Sequence, residues 1–281
     1  MTAPDHSEIS LRDVTGSLVL VGAGKMGGAM LEGWLRLGLD PARLAVIEPM
    51  PSPEVAELAG RGLSLNPTAN TVREPAAVVI AVKPQNAAEA VPWLASMVGG
   101  ATVVLSIMAG KTIEFLADAL PPGTAIVRSM PNLPASIGRG ITVAVPNRSV
   151  TPAQRELAEK LLAATGAVEW VEDEGLLDPV TAVSGSGPAY VFLLAESLAR
   201  AGAAAGLPPD LAARLACATV AGSGELLHRA AVDAATLRQN VTSPGGTTAA
   251  ALDVLMSSEG LDRLMKDAVA AATRRARELA G

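Results

Sequence analysis

The chain has 281 residues, 49% of them apolar, a formal net charge of −6 and only six aromatic side chains (three Trp, one Tyr, two Phe). That length buries a full core in one large domain or two ordinary ones, and the lack of a basic block argues against gripping phosphate backbones or stacking bases. Cys217 is the only cysteine, which excludes an intrachain disulfide and points to a reducing, cytoplasmic setting.

The first fifteen residues read as a loose leader, with Asp5, Glu8, Arg12 and Asp13 where a signal peptide needs an apolar run. From Leu18 the chain alternates short β-branched runs with amphipathic segments: "LVLVG", "LAVIE", "AAVVIAVKP", "TVVLSIMAG", "TAIVRSMPN", "ITVAVP" and "AVEWVE". The alternation predicts a parallel sheet with crossover helices over residues 1–171. Directly after the first strand, Gly22, Gly24 and Gly27 spell G-x-G-x-x-G, followed by helical spacing at Met26, Met30, Leu31, Trp34 and Leu35 and a stop at Gly38. In that place the first glycine permits a tight turn, the second lets backbone approach a pyrophosphate, and the third lets helix and strand pack closely. A plain strand-to-helix turn is the bland alternative.

Glu48 closes the second strand, where an acid accepts hydrogen bonds from the adenosine ribose and repels a 2'-phosphate. Pro49, Met50 and Pro51 follow it, with no adjacent Arg or Ser, so the residues favour NADH mildly over NADPH. "AVKPQ" at 81–85 and "SMPN" at 129–132 end two further strands at the edge where open parallel sheets bind ligands. By periodicity alone Lys83 is a solvated strand-end lysine.

Past Glu172 the β-like runs stop, and Ala/Leu-rich segments at 186–206, 209–229, 247–257 and 260–280 predict an all-α domain over 172–281. The most apolar of them, 188–207, carries Glu196 and Arg200 and reads as a core or interface helix, not a membrane span. "SGSGP" at 184–188 and "GLPPD" at 206–210 read as breaks between helices. "NVTSPGGTTAAAL" at 240–252 interrupts the helical tail; it is either an interhelical turn whose Ser and Thr cap the next helix, or a site at a helix N-terminus. His6 and His228 stand far apart and one Cys cannot complete a set, so no metal site is expected. The chain thus offers a redox-cofactor loop without an obvious His, Lys or Tyr acid. An imine substrate fits, because an imine can be protonated before hydride arrives.

"AVKPQ", "MPN", "SGSGPAYVF", "GLP" and above all "NVTSPGGTT" resemble the pyrroline-5-carboxylate reductase family over residues 18–280. The resemblance implies an α/β Rossmann-like dinucleotide-binding domain followed by an all-α C-terminal dimerisation domain. It implies reduction of L-1-pyrroline-5-carboxylate to L-proline with NAD(P)H, in a homodimer that in relatives often assembles into rings. By the same resemblance Gly245, Gly246, Thr247 and Thr248 cradle the substrate carboxylate, with the Thr248 hydroxyl reaching the ring nitrogen, and Glu174 and Asn240 line the same site. Gly22, Ala23, Gly24, Lys25, Met26, Gly27, Glu48, Ala81, Val82, Lys83, Pro84, Ile107, Met108 and Ala109 match the nucleotide side. Three positions depart from the family pattern: Glu48-Pro49 after the second strand, Leu133 for the usual Thr of "MPNTP", and Thr68 at the position matching an Asn after the third. Another imine or hydroxyacid reductase, or a nucleotide-sensing protein without turnover, remains the alternative; Lys266 is the only Lys in the helical part.

Overall fold

The computed structural model describes residues 9–68 and 71–280, so His6 and the leader residues Asp5 and Glu8 lie outside the described residues. It contains two compact units, one within His6–Gly185 and Thr273–Gly281, the other Ser186–Ala272.

The first unit is built on one eight-stranded sheet in the order β3-β2-β1-β4-β5-β6-β7-β8. The strands are β1 Leu18–Val21, β2 Leu44–Ile47, β3 Ser64–Leu65, β4 Ala77–Ile80, β5 Val103–Ser106, β6 Ala125–Met130, β7 Gly140–Pro146 and β8 Gly166–Trp170. The helices are α1 Lys25–Arg36, α2 Pro53–Ala59, α3 Ala87–Leu94, α4 Ile113–Ala119, α5 Pro152–Ala163 and the single turn α6 Leu177–Val180. Strand composition explains why the sheet is covered on both faces. In β1, Leu18 and Leu20 enter one apolar cluster with Met30, Leu31 and Trp34 of α1, while Val19 and Val21 enter a second cluster with Val91 and Leu94 of α3. Both-sided burial is what continuous β-branched runs demand of a parallel strand.

Strands β1 to β6 pair in parallel, but β6 and β7 are antiparallel, with Val127 opposite Pro146 and Met130 opposite Val143. The expectation of a wholly parallel sheet is corrected here, and the reason is connection length. A parallel crossover takes a dozen or more residues; between Met130 and Gly140 there is room only for the 3₁₀ turn Leu133–Ile137. Because β8 pairs in parallel with β7, both run against the rest.

Caps place the helices. Ser52, Thr112 and Thr151 each accept a hydrogen bond from the third residue beyond, and Thr151 forms a reciprocal capping box with Gln154. Across the α1–α5 contact the Trp34 Nε1–H donates to the Leu161 carbonyl (2.8 Å) and Arg36 Nη2 to that of Ala164 (3.2 Å), so α1 satisfies carbonyls at the end of α5. Part of the stretch expected to be a loose leader is packed. Leu11 and Val14 are buried, the Leu11 amide donates to the Leu37 carbonyl (3.0 Å), and Arg43 Nη1 donates to the Val14 carbonyl (2.7 Å). Two apolar residues three apart among charges were the missed signal.

The second unit contains α7 Gly187–Ala204, α8 Pro209–Arg229, α9 Ala234–Asn240, α10 Thr247–Leu255 and the first part of α11 Leu261–Ala280. α7 and α8 form a hairpin through a turn with Gly206 at φ +101, and Gly202 lets α7 approach Ala212 of α8. α9 was not foreseen, being one short polar helix capped by Asp233. The division expected near residue 171 and the partition after Gly185 differ because α6 and the π-helical turn Thr181–Gly185 belong with the sheet. Leu177 of α6 is buried against Val143 and Val145 of β7. Among the described residues no helix is long and apolar enough to cross a membrane.

Candidate functional site

Four segments foreseen at the nucleotide site leave the carboxyl ends of β2, β1, β4 and β5, which are neighbours in the sheet. The edge of the sheet therefore gathers Gly22–Gly27, Glu48, Ala81–Pro84 and Ile107–Ala109. Gly22 has φ +92, and a Cβ there would lie 2.8 Å from the Ala81 carbonyl oxygen, so only glycine fits between the two loops. A side chain at Gly24 would meet nothing within 4 Å, which leaves the backbone open to an approaching ligand. Gly24 is the N-cap of α1 and has no side-chain cap; the first helical hydrogen bond runs from the Gly28 amide to the Gly24 carbonyl (2.7 Å). The amides of Lys25, Met26 and Gly27 precede that bond and face outward from the helix start, the arrangement that receives a pyrophosphate.

Glu48 sits against this loop. Its Oε2 accepts from the Ala23 amide (2.9 Å) and its Oε1 from the Met50 amide (3.1 Å), so both carboxylate oxygens are oriented by backbone. Asn66, in the left-handed region at φ 49, holds the Glu48 main chain at both ends: Oδ1 accepts from the Glu48 N–H (2.8 Å) and Nδ2 donates to the Glu48 carbonyl (2.9 Å). Sequence reading passed over Asn66; an Asn just beyond a strand, where it tolerates positive φ, was the available signal. A cleft of about 550 Å³ opens beside the loop, lined among others by Gly24, Lys25, Glu48, Met50 and Ser52.

The other two loops are anchored as tightly. The Ala81 amide donates to the Val21 carbonyl (2.7 Å) and the Ile107 amide to that of Ile80 (3.1 Å). Lys83 is exposed and Pro84 opens a 3₁₀ turn. The Met108 side chain is buried in the core, so that residue offers a ligand its backbone alone.

In the second unit Asn240 ends α9 and the turn Ser243–Gly246 leads into α10. Gly245 takes φ +68 and the Gly246 amide donates to the Ser243 carbonyl (3.1 Å), a tight turn only glycine makes without strain. The expectation that Ser or Thr caps α10 is corrected: Gly246 is the N-cap and makes no side-chain cap bond. Thr247 and Thr248 are the first two helical residues, and among the described residues neither hydroxyl has a hydrogen-bond partner. The first helical bond comes from Ala250, so the amides of Thr247, Thr248 and Ala249 are unpaired, as an anion at a helix start requires.

Glu174 lies in the first unit. Its Oε1 accepts from Arg128 Nη1 (2.7 Å) and from the Ile113 amide (2.8 Å). Arg128, the one charge inside the apolar run of β6, was the missed partner. Among the described residues no group of three His, Cys, Asp or Glu is placed to hold a metal.

Comparisons with known proteins agree with this division of labour. Residues 174–279 match the family model for pyrroline-5-carboxylate reductase dimerisation, and residues 17–110 match that for coenzyme F420-dependent NADP oxidoreductases. The pyrroline-5-carboxylate reductase of Mycobacterium tuberculosis is 39% identical over 93% of this chain and 96% of its own length. That of Pseudomonas aeruginosa is 35% identical over 95% and 97%. Among solved structures, a pyrroline-5-carboxylate reductase from Coxiella burnetii superposes with TM-score 0.87 at 33% identity, covering 95% of this chain and all (100%) of that one. The Plasmodium falciparum enzyme, solved with NADP bound, gives TM-score 0.78 at 27% identity over 95% and 99%. With the G-x-G-x-x-G edge in one unit, the Ser-Pro-Gly-Gly turn in the other and relatives matched from end to end, the chain belongs to the pyrroline-5-carboxylate reductase family.

Proposed function

We propose that the protein reduces L-1-pyrroline-5-carboxylate to L-proline with hydride from NAD(P)H, the closing step of proline biosynthesis. The observation that carries the reading is the pairing in one chain of two anion-receiving helix starts, one behind G-x-G-x-x-G and one behind Ser-Pro-Gly-Gly. The first fits a pyrophosphate: the face at Gly24 is open and three amides stand unpaired there. When bound, NAD(P)H supplies the hydride. Residues 22–27, 81–84 and 107–109 hold and orient it along the strand ends, with Met108 contributing main chain.

The Gly245–Gly246 turn presents the unpaired amides of Thr247 and Thr248 to the substrate carboxylate, and the Thr248 hydroxyl, without a hydrogen-bond partner among the described residues, engages the ring nitrogen. Asn240 borders the same turn. Hydride addition to the carbon of a protonated imine converts C=N to a CH–N single bond and leaves a neutral amine, so no side-chain acid has to deliver a proton in that step. The protein's work is orientation, in keeping with a turn segment, residues 240–252, whose sequence contains no His, Tyr or Lys.

Glu48 supports a preference for NADH. Its carboxylate is fixed beside the loop by Ala23 and Met50, where it suits ribose hydroxyls and opposes a 2'-phosphate. The assembly is a homodimer at least, and we extend it to a ring of dimers on the family resemblance. The net negative charge and the single, exposed Cys217 support a cytoplasmic enzyme without nucleic-acid or membrane partners. The test is direct: purified protein given pyrroline-5-carboxylate consumes NADH or NADPH, followed by absorbance. Binding of cofactor without consumption would identify a sensor instead.

A further inference from the structure

One carboxylate oxygen ties together three elements at the far side of the cofactor edge. Glu174 Oε1 accepts from both Arg128 Nη1 and the Ile113 amide. Arg128 stands in mid-sheet, paired with Ser106 of β5 and Val145 of β7, and its side chain is only 6% exposed against 30% for Glu174. A guanidinium that deep needs its counter-charge, because removing one member of such a pair leaves the other buried and uncompensated. Ile113 opens α4 and is the first residue after the segment 107–112 that leaves β5. The Ile113 amide therefore fixes the exit of that loop, while the Ile107 amide, bonded to the Ile80 carbonyl, fixes its entrance. A third restraint lies between them. Gly110, at φ +69, comes so close to the last turn of α11 that a Cβ would lie 2.9 Å from the Leu279 carbonyl oxygen.

We infer that Glu174 is a positioning residue for the cofactor loop 107–112. It sets the loop's exit through the Ile113 amide and is itself held by Arg128. The resemblance had placed Glu174 at the substrate; the hydrogen bonds place its Oε1 on the nucleotide side. The inference rests on reading 107–109 as a cofactor loop, so that reading has its own arm in the test.

NAD(P)H affinity is measured by fluorescence titration, and KM for both substrates by steady-state assay, in Glu174→Ala, Glu174→Gln and Ala109→Phe. Glu174→Ala is expected to weaken NAD(P)H binding about tenfold and to change KM for pyrroline-5-carboxylate less than about twofold. Glu174→Gln keeps an oxygen able to accept from Ile113 and is expected to recover most of the affinity, which a purely electrostatic role would not allow. Should Glu174→Ala fail to fold, the double variant Arg128→Met/Glu174→Ala removes the stranded charge and gives the same readout. A rise confined to KM for pyrroline-5-carboxylate, or unchanged NAD(P)H affinity in the folded variant, overturns the positioning role. Ala109→Phe separates the two levels: if it leaves NAD(P)H affinity untouched, 107–109 is not a cofactor loop and both readings fall. If it weakens binding while the Glu174 variants do not, only the role of Glu174 falls.

Discussion

Thr248 is the side chain on which the proposed chemistry of the second unit is tested. Its hydroxyl has no hydrogen-bond partner among the described residues and Gly246 is the cap, so Thr248→Ala should cost less than about 0.5 kcal/mol in stability. The same change should lower kcat/KM for pyrroline-5-carboxylate by about tenfold and leave NADH affinity as it was, the signature of a contact made to substrate alone. Thr247→Ala, where only the backbone N–H is asked to bind, should change kcat/KM by less than about twofold; equal losses at the two positions would make the turn structural. At Glu48 the expected outcome is a change of preference. Glu48→Ser removes the charge facing a 2'-phosphate and should move the NADH/NADPH ratio of kcat/KM about fivefold toward NADPH, as a like-charge repulsion of roughly 1 kcal/mol near a surface implies. An unmoved ratio would mean that the carboxylate points away from the cofactor. The segments that carry these residues were legible beforehand as local patterns, a glycine spacing after a strand and a turn before a helix, while the roles proposed for Thr247 and Thr248 came from the family resemblance. Arg128 and Glu174 were not readable as a pair: they are 46 positions apart and meet only when β6 and the 3₁₀ turn Glu174–Leu176 beyond β8 are in place.

At the scale of elements, α9 offers a test by pH. The Asp233 carboxylate caps it by accepting from the Thr236 amide (2.7 Å), and that bond holds the carboxyl pKa below the ordinary aspartate range. A lowered folded pKa means that the stabilisation is complete above the ordinary carboxylate range and is lost as pH falls through the folded value. Amide exchange in α9 should therefore quicken under strong acid before the sheet is affected, and Asp233→Asn, which retains an acceptor, should blunt the change. Because α9 ends at Asn240, fraying there also loosens one border of the turn proposed to receive substrate. The elements themselves were largely readable: β1, β2 and β4 to β8 lie where β-branched runs predicted them, and α7, α8, α10 and α11 where the Ala/Leu segments did. What escaped was short or set by packing. β3 has two residues and α9 is polar, while α6 and the start of the π-turn lie in a stretch for which no element was predicted, ahead of the break read at 184–188.

The whole molecule is divided unevenly between core and surface. Within Ser186–Ala272 the buried hydrophobic residues are Ala212 and Ala216, among the described residues, while Val191, Phe192, Leu193, Leu194 and Leu198 of α7 are all exposed. A helical unit with so little interior of its own is completed by a second copy, in accord with the dimerisation family it matches. Light scattering at micromolar concentration should find at least a dimer, and Phe192→Asp should weaken it; a stable wild-type monomer would contradict the expectation.

Trp34, locked to α5 by its indole hydrogen bond, has a spectroscopic consequence. It and the other two tryptophans, Trp93 and Trp170, all belong to the nucleotide-binding unit, and Ser186–Ala272 has none. Indole emission thus reports the melting of one unit, whereas far-ultraviolet dichroism reports the helices of both. Comparing the two curves from a single heating run tells whether a dimer holds its parts in one cooperative transition or lets them go in turn, without a label or a substitution.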